Sequence, residues 1–63
     1  NARRSIILNQ DLLKGALITK NDITYKRPGH GISPSETNSV INKKINKNKN
    51  KDDILFWEDI ENE

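Results

Sequence analysis

The chain has 63 residues, which allows one small domain with a modest core. It holds no cysteine and one histidine, which excludes a disulfide framework and a zinc centre of the usual ligand set. Hydrophobic residues make up only 32% and net charge is +2, yet the apolar residues cluster in short runs, which favours a folded domain over a disordered chain.

The charge is unevenly spread. Residues 1–51 carry all 11 bases and three acids (Asp11, Asp22, Glu36), a net of +8. Residues 52–63 carry six acids and no base, a net of −6. There is no methionine, position 1 included, so the chain reads as a processed product or an excised domain. No apolar run reaches the ~18 residues of a membrane span, and the lack of cysteine agrees with a cytoplasmic protein.

Residues 1–4 read as the end of a linker, and residues 5–61 as the domain. Ser5-Ile6-Ile7-Leu8 is an apolar strand candidate, broken by Asn9-Gln10-Asp11, which favour local turns. Leu12 to Ile18 read as two apolar pieces around a turn, with Gly15 as the positive-φ residue. Thr19, with Asp22 three positions on, predicts a capped helical turn ending near Ile23.

Thr24-Tyr25-Lys26 should be extended. Arg27-Pro28-Gly29-His30-Gly31 cannot be regular structure, because Pro28 biases Arg27 away from helix and two glycines allow a sharp reversal. Ser33 as N-cap, Pro34 at the first helical position and Glu36 at the third predict a helix to about Asn42, with Val40 and Ile41 facing inward. Residues 42–51 are a low-complexity Asn/Lys stretch anchored only by Ile45. Ile54 to Trp57 read as a strand, and Glu58-Asp59-Ile60 as a further turn.

Leu8 to Ile23 can be laid on Ile45 to Ile60 at an offset of 37 residues. Asn9 then meets Asn46, Lys14 meets Lys51, Asp22 meets Asp59 and Ile23 meets Ile60. Leu17-Ile18 meet Ile54-Leu55. This pattern predicts a mainly β domain of two similar units packed about a pseudo-twofold axis.

The segments Ala2-Arg3-Arg4-Ser5-Ile6, Asp11-Leu12-Leu13-Lys14-Gly15, Lys26-Arg27-Pro28-Gly29-His30-Gly31-Ile32-Ser33-Pro34 and Trp57-Glu58-Asp59-Ile60 resemble the C-terminal domain of N-acetylneuraminate (sialic acid) and legionaminic acid synthases. The resemblance implies a β-clip fold, the SAF or type III antifreeze-like domain. It implies a bacterial enzyme with a TIM barrel outside this chain, which condenses phosphoenolpyruvate with an N-acetylated amino sugar such as N-acetylmannosamine. The barrel is expected to use manganese or magnesium, while this chain holds neither catalytic residues nor a cofactor. It also implies a domain-swapped homodimer in which this domain caps the partner subunit's barrel and Arg27 reaches the sugar's N-acyl group. Two departures stand out. Asn42 replaces a common glycine and still suits left-handed geometry, whereas Lys49 replaces an apolar residue opposite Leu12, which predicts a looser second hairpin.

The plain reading of Arg27 is a solvated loop residue. Against it, Pro28, Gly29 and Gly31 shape the loop and lower the entropy lost when the side chain is used. A guanidinium also presents a fixed fork of donors. The plain reading of His30 is an exposed loop residue; it lacks an orienting partner for base catalysis, and its functional reading is contact with the same sugar. Arg3 and Arg4 are linker residues or contacts to the barrel. The five lysines of residues 43–51 read as a solvated face; without stacking aromatics they do not read as a nucleic-acid site. Phe56 and Trp57 are assigned to the core or to the barrel contact. The C-terminal acids lack a calcium-loop glycine and read as a solvated tail. The rival functions are an ice-binding domain of the same fold and a small nucleic-acid-binding module; no partner nucleic acid or membrane is expected.

Overall fold

The first strand, β1 (Ser5–Leu8), is buried along its whole length. A strand covered on both faces does not alternate polar and apolar residues, which accounts for the unbroken Ile6-Ile7-Leu8 run. β1 pairs antiparallel with β2 (Ile23–Lys26), Ser5 opposite Lys26 and Leu8 opposite Ile23. The computed structural model describes residues 3–61; Asn1 and Ala2 of the expected linker end lie outside the described residues.

Between the strands the chain turns twice. The Ala16 N–H donates to the Leu13 carbonyl at 2.9 Å, and Gly15 sits at φ +90° as expected. A 3-10 turn then spans Lys20–Asp22. Its closing group is the Asp22 carboxylate, which accepts from the Thr19 N–H and the Thr19 hydroxyl, both at 2.9 Å.

The second half repeats this geometry 37 residues later. Asp53 N–H donates to Asn50 O at 3.1 Å, and Asp52 takes φ +76° where Gly15 stands in the first half. The Asp59 carboxylate accepts from the Phe56 N–H at 3.0 Å and closes the 3-10 turn Trp57–Asp59. The halves also exchange equivalent bonds. Leu8 N–H donates to Asp53 O at 2.9 Å, and Ile45 N–H donates to Ala16 O at 3.0 Å. The bridge Ile7–Ile54 has its counterpart in Leu17–Lys44. Leu12 and Lys49, equivalent to each other, exchange both backbone bonds at 2.9 Å and so mark the pseudo-twofold axis. That pairing is regular, and the looser second hairpin expected from Lys49 is not what the backbone bonds record.

The core lies between the two halves. Ile6, Leu8, Leu12, Ile18, Ile23, Ile32, Val40, Ile45 and Leu55 form one buried cluster, with Ala16, Ile41 and Ile60 packed against it. Ile45, the lone apolar anchor of the Asn/Lys stretch, is fully buried. Each such aliphatic side chain stabilises the fold by about 1.5–3 kcal/mol.

Two elements differ from the sequence expectation. The helix expected from Ser33 to Asn42 is a 3-10 turn, Pro34–Glu36, followed by a single helical turn α1 (Thr37–Val40). Ser33 accepts from the Ser35 N–H as the expected cap. The helix stops because Ile41 turns extended and Asn42 adopts φ +70°, with Lys43 N–H donating back to Val40 O at 3.1 Å. The segment expected as a strand over Ile54 to Trp57 contributes one bridge at Ile54 and leaves the ladder where Asp59 captures the Phe56 N–H.

Candidate functional site

The loop after β2 is fixed at both ends by the core. At its entrance Lys26 pairs with Ser5. At its exit Ile6 N–H donates to Ile32 O at 2.9 Å, and Ile32 N–H donates to Leu55 O at 3.0 Å. Between them the Arg27–Pro28 peptide is cis. The hydroxyl of Ser5 donates to Pro28 O at 2.5 Å and accepts from Gly31 N–H at 2.9 Å.

The two glycines act through space rather than through left-handed geometry, since neither has a positive φ. A Cβ at Gly29 would sit 2.5 Å from Arg3 Cβ. A Cβ at Gly31 would run into the Ile54 side chain and lie 2.5 Å from Leu55 O. The loop therefore lies flat against the chain entering β1 on one side and against Ile54-Leu55 on the other.

Arg27 and His30 are exposed on this loop. Together with Arg3, Pro28 and Gly29 they line one depression. A neighbouring one is lined by Arg3, Arg4, Gly29, Gly31, Ser33 and Pro34. Thus the fold brings together all seven residues assigned from the sequence. Among the described residues no carboxylate pairs with Arg27 and no hydrogen bond engages its side chain. Its neighbour Lys26 does pair, with Asp52 at 3.6 Å. The guanidinium is therefore available to an external acceptor.

Of the two places expected for Phe56 and Trp57, the domain core does not hold Trp57, which is 52% exposed, while Phe56 is half-buried. Two other sequence assignments change. The lysines of 43–51 are not one solvated face: Lys47 and Lys49 both pair with Asp59, at 3.2 and 2.8 Å. The Lys49 ammonium also lies 5.6 Å from the Phe56 ring centroid. Asp59, assigned to a solvated tail, is buried. Burial pushes its carboxyl up, but Lys49, the Phe56 N–H and Lys47 outweigh that and hold it below its ordinary value. Among the described residues no group of three His, Cys, Asp or Glu side chains could hold a metal ion. No described helix is long and apolar enough to cross a membrane.

Sequence reasoning missed Ser5 as a site residue. The available signal was a hydroxyl at the head of an otherwise apolar strand, at a position whose cross-strand neighbour leads into the arginine loop.

Comparison with known proteins agrees with this geometry. The family model described as the SAF domain matches residues 3–61. The chain is 46% identical over 59 residues to an N,N'-diacetyllegionaminic acid synthase of Legionella pneumophila, covering 94% of this chain and 17% of that protein. It is 39% identical over 59 residues to an uncharacterized protein of Methanocaldococcus jannaschii, covering 94% of this chain and 18% of that protein. An N,N'-diacetyllegionaminic acid synthase of Campylobacter jejuni is 30% identical over 53 residues, covering 84% of this chain and 16% of that protein. The chain thus spans under a fifth of the length of these relatives. Its fold is similar to the solution structure of an antifreeze-protein-like domain in human N-acetylneuraminic acid phosphate synthase, with a TM-score of 0.88 at 22% identity over 94% of this chain and 76% of that one. The mainly β, antifreeze-like fold expected from the sequence is the fold observed.

Proposed function

The chain belongs to the SAF domain family, and from that premise we propose that it caps the sugar site of a longer synthase, which condenses phosphoenolpyruvate with an N-acylated amino sugar to give a nonulosonic acid. The observation that carries this reading is an exposed Arg27, without a partner among the described residues, on a loop held at both ends by the core. Such a loop loses little freedom when its side chain is engaged. The guanidinium offers parallel N–H donors to an acyl carbonyl oxygen, and His30 lies beside it on the same depression. Two relatives named as diacetyllegionaminic acid synthases support a substrate bearing acetamido groups.

The chemistry belongs to a barrel outside this chain, where manganese or magnesium would polarise the substrate aldehyde. The part of this chain's own residues is to bind and orient the sugar and to exclude water. Removing water from a closed site strengthens each remaining polar contact. The barrel capped is that of the partner subunit in a cytoplasmic homodimer. Arg3 and Arg4, which line the neighbouring depression, face that barrel in this arrangement.

Heterodimers test the reading. One chain carries Arg27→Ala and the other an inactivated barrel. Recovery of phosphoenolpyruvate-dependent condensation above that of either homodimer supports capping across the subunit boundary. The rates are read at an amino-sugar concentration below the wild-type KM, where Arg27→Ala slows the homodimer, and no recovery in verified heterodimers contradicts the reading.

A further inference from the structure

We propose that Ser5 is a positioning residue whose buried hydroxyl clamps the Pro28–Gly31 loop and thereby sets where Arg27 points. The inference rests on the capping role given to Arg27 above. Ser5 is fully buried and heads β1. A polar group at such a position carries a desolvation cost unless its hydrogen bonds are made. Both are made, and both go to one loop: the O–H to Pro28 O and a lone pair to Gly31 N–H. This fixes the direction of the hydroxyl proton, because the Gly31 amide can only donate.

The clamp acts where the backbone ladder does not reach. Lys26 is held by strand pairing and Ile32 by its bonds to Ile6 and Leu55. The Pro28 carbonyl and the Gly31 N–H have no recorded partner besides Ser5 among the described residues. Arg27 precedes the clamped carbonyl by one residue. Removing the hydroxyl therefore leaves β1 paired while freeing the segment that carries the guanidinium. Ala leaves an orphan donor and acceptor, Thr adds a methyl group where no space is open to solvent, and Cys retains a weaker donor and acceptor of similar shape.

The test uses the full-length protein carrying Ser5→Ala, Ser5→Cys, Arg27→Ala and the double variant Ser5→Ala/Arg27→Ala. Two readouts are taken: steady-state kinetics for each substrate and hydrogen exchange of the peptide covering Pro28 to Ile32. Ser5→Ala should raise the KM for the amino sugar about tenfold, the scale of one lost buried hydrogen-bonding group, with the KM for phosphoenolpyruvate unchanged. It should also speed exchange in the loop, while Ser5→Cys falls between. In the Arg27→Ala background, Ser5→Ala should add no further rise, since the hydroxyl acts through the arginine. Additive effects, or a sugar KM untouched by Ser5→Ala while Arg27→Ala raises it, overturn the positioning role. Unchanged loop exchange in Ser5→Ala overturns the clamp. A sugar KM untouched by Arg27→Ala overturns the capping reading itself, and the clamp then stands or falls on exchange alone.

Discussion

The ammonium of Lys49 lies 2.8 Å from Oδ2 of Asp59, and both groups are almost withdrawn from solvent, at 14% and 2% side-chain exposure. Lys47 reaches the other oxygen at 3.2 Å. Removing one partner of such a pair leaves an uncompensated charge in a poorly solvated place. Asp59→Ala should therefore lower stability by about 3 kcal/mol or more, a large share of the total for a domain of this size. Lys49→Ala should cost less, because Lys47 and the Phe56 N–H still serve the carboxylate. Chemical denaturation of the two variants checks the order, and equal losses would contradict it.

The same carboxylates set a pH dependence. In Asp22 burial raises the pKa, but the Thr19 N–H, Gln10 and the Thr19 hydroxyl outweigh it, so the folded value lies below the ordinary 3.8, as for Asp59. A depressed folded pKa means that the unfolded chain binds more protons across that window. The stabilisation is then fully present above about pH 5 and is lost as pH falls through the folded values. Unfolding free energy measured from pH 7 to pH 2 should be flat at first and then fall. Asp59→Asn should flatten the fall; an unchanged acid limb would contradict the assignment.

Glycine positions separate two kinds of constraint. Gly31→Ala should destabilise by about 1–3 kcal/mol, because the new methyl meets Ile54 and the Leu55 carbonyl oxygen. Gly15 has open space around it and is constrained by φ alone. Its pseudo-symmetric counterpart is Asp52, which already holds that conformation at φ +76°. Gly15→Asn should therefore cost less than Gly15→Val, since only the β-branched side chain is strongly penalised there. Thermal melts of the three variants decide the matter, and a Gly15→Val variant as stable as Gly15→Asn would count against it.

The repeat was the most legible part of the fold. Four identities at an offset of 37 residues led to two halves whose turns and bridges coincide, because the matched residues Asn9/Asn46 and Asp22/Asp59 are those whose side chains close the turns. Gly15, Asn42 and the Ser33-Pro34 cap were readable for the same reason: a local backbone requirement selects the residue type. What escaped the sequence was long-range. Nothing local says that Lys49, in a run of lysines and asparagines, folds back onto Asp59, or that Ser5 bonds residues 23 and 26 positions away. The helix was drawn too long because its start signal is clear while its end depends on Asn42 pairing with Ile18, whose carbonyl takes the Asn42 N–H at 2.8 Å. At the site, Arg27, His30 and the loop-shaping residues were found, while the close approach of Gly29 to Arg3 and of Gly31 to Ile54 and Leu55 was not legible.

The central claim concerns Arg27, and steady-state kinetics of Arg27→Ala and Arg27→Lys in the full-length protein test it most directly. Loss of a charge-assisted contact to the sugar should raise the KM for the amino sugar about tenfold or more and leave the KM for phosphoenolpyruvate unchanged. Lysine should recover little, because a point charge cannot replace the planar fork. Wild-type KM for the amino sugar in Arg27→Ala, or an equal loss for both substrates, would contradict the account.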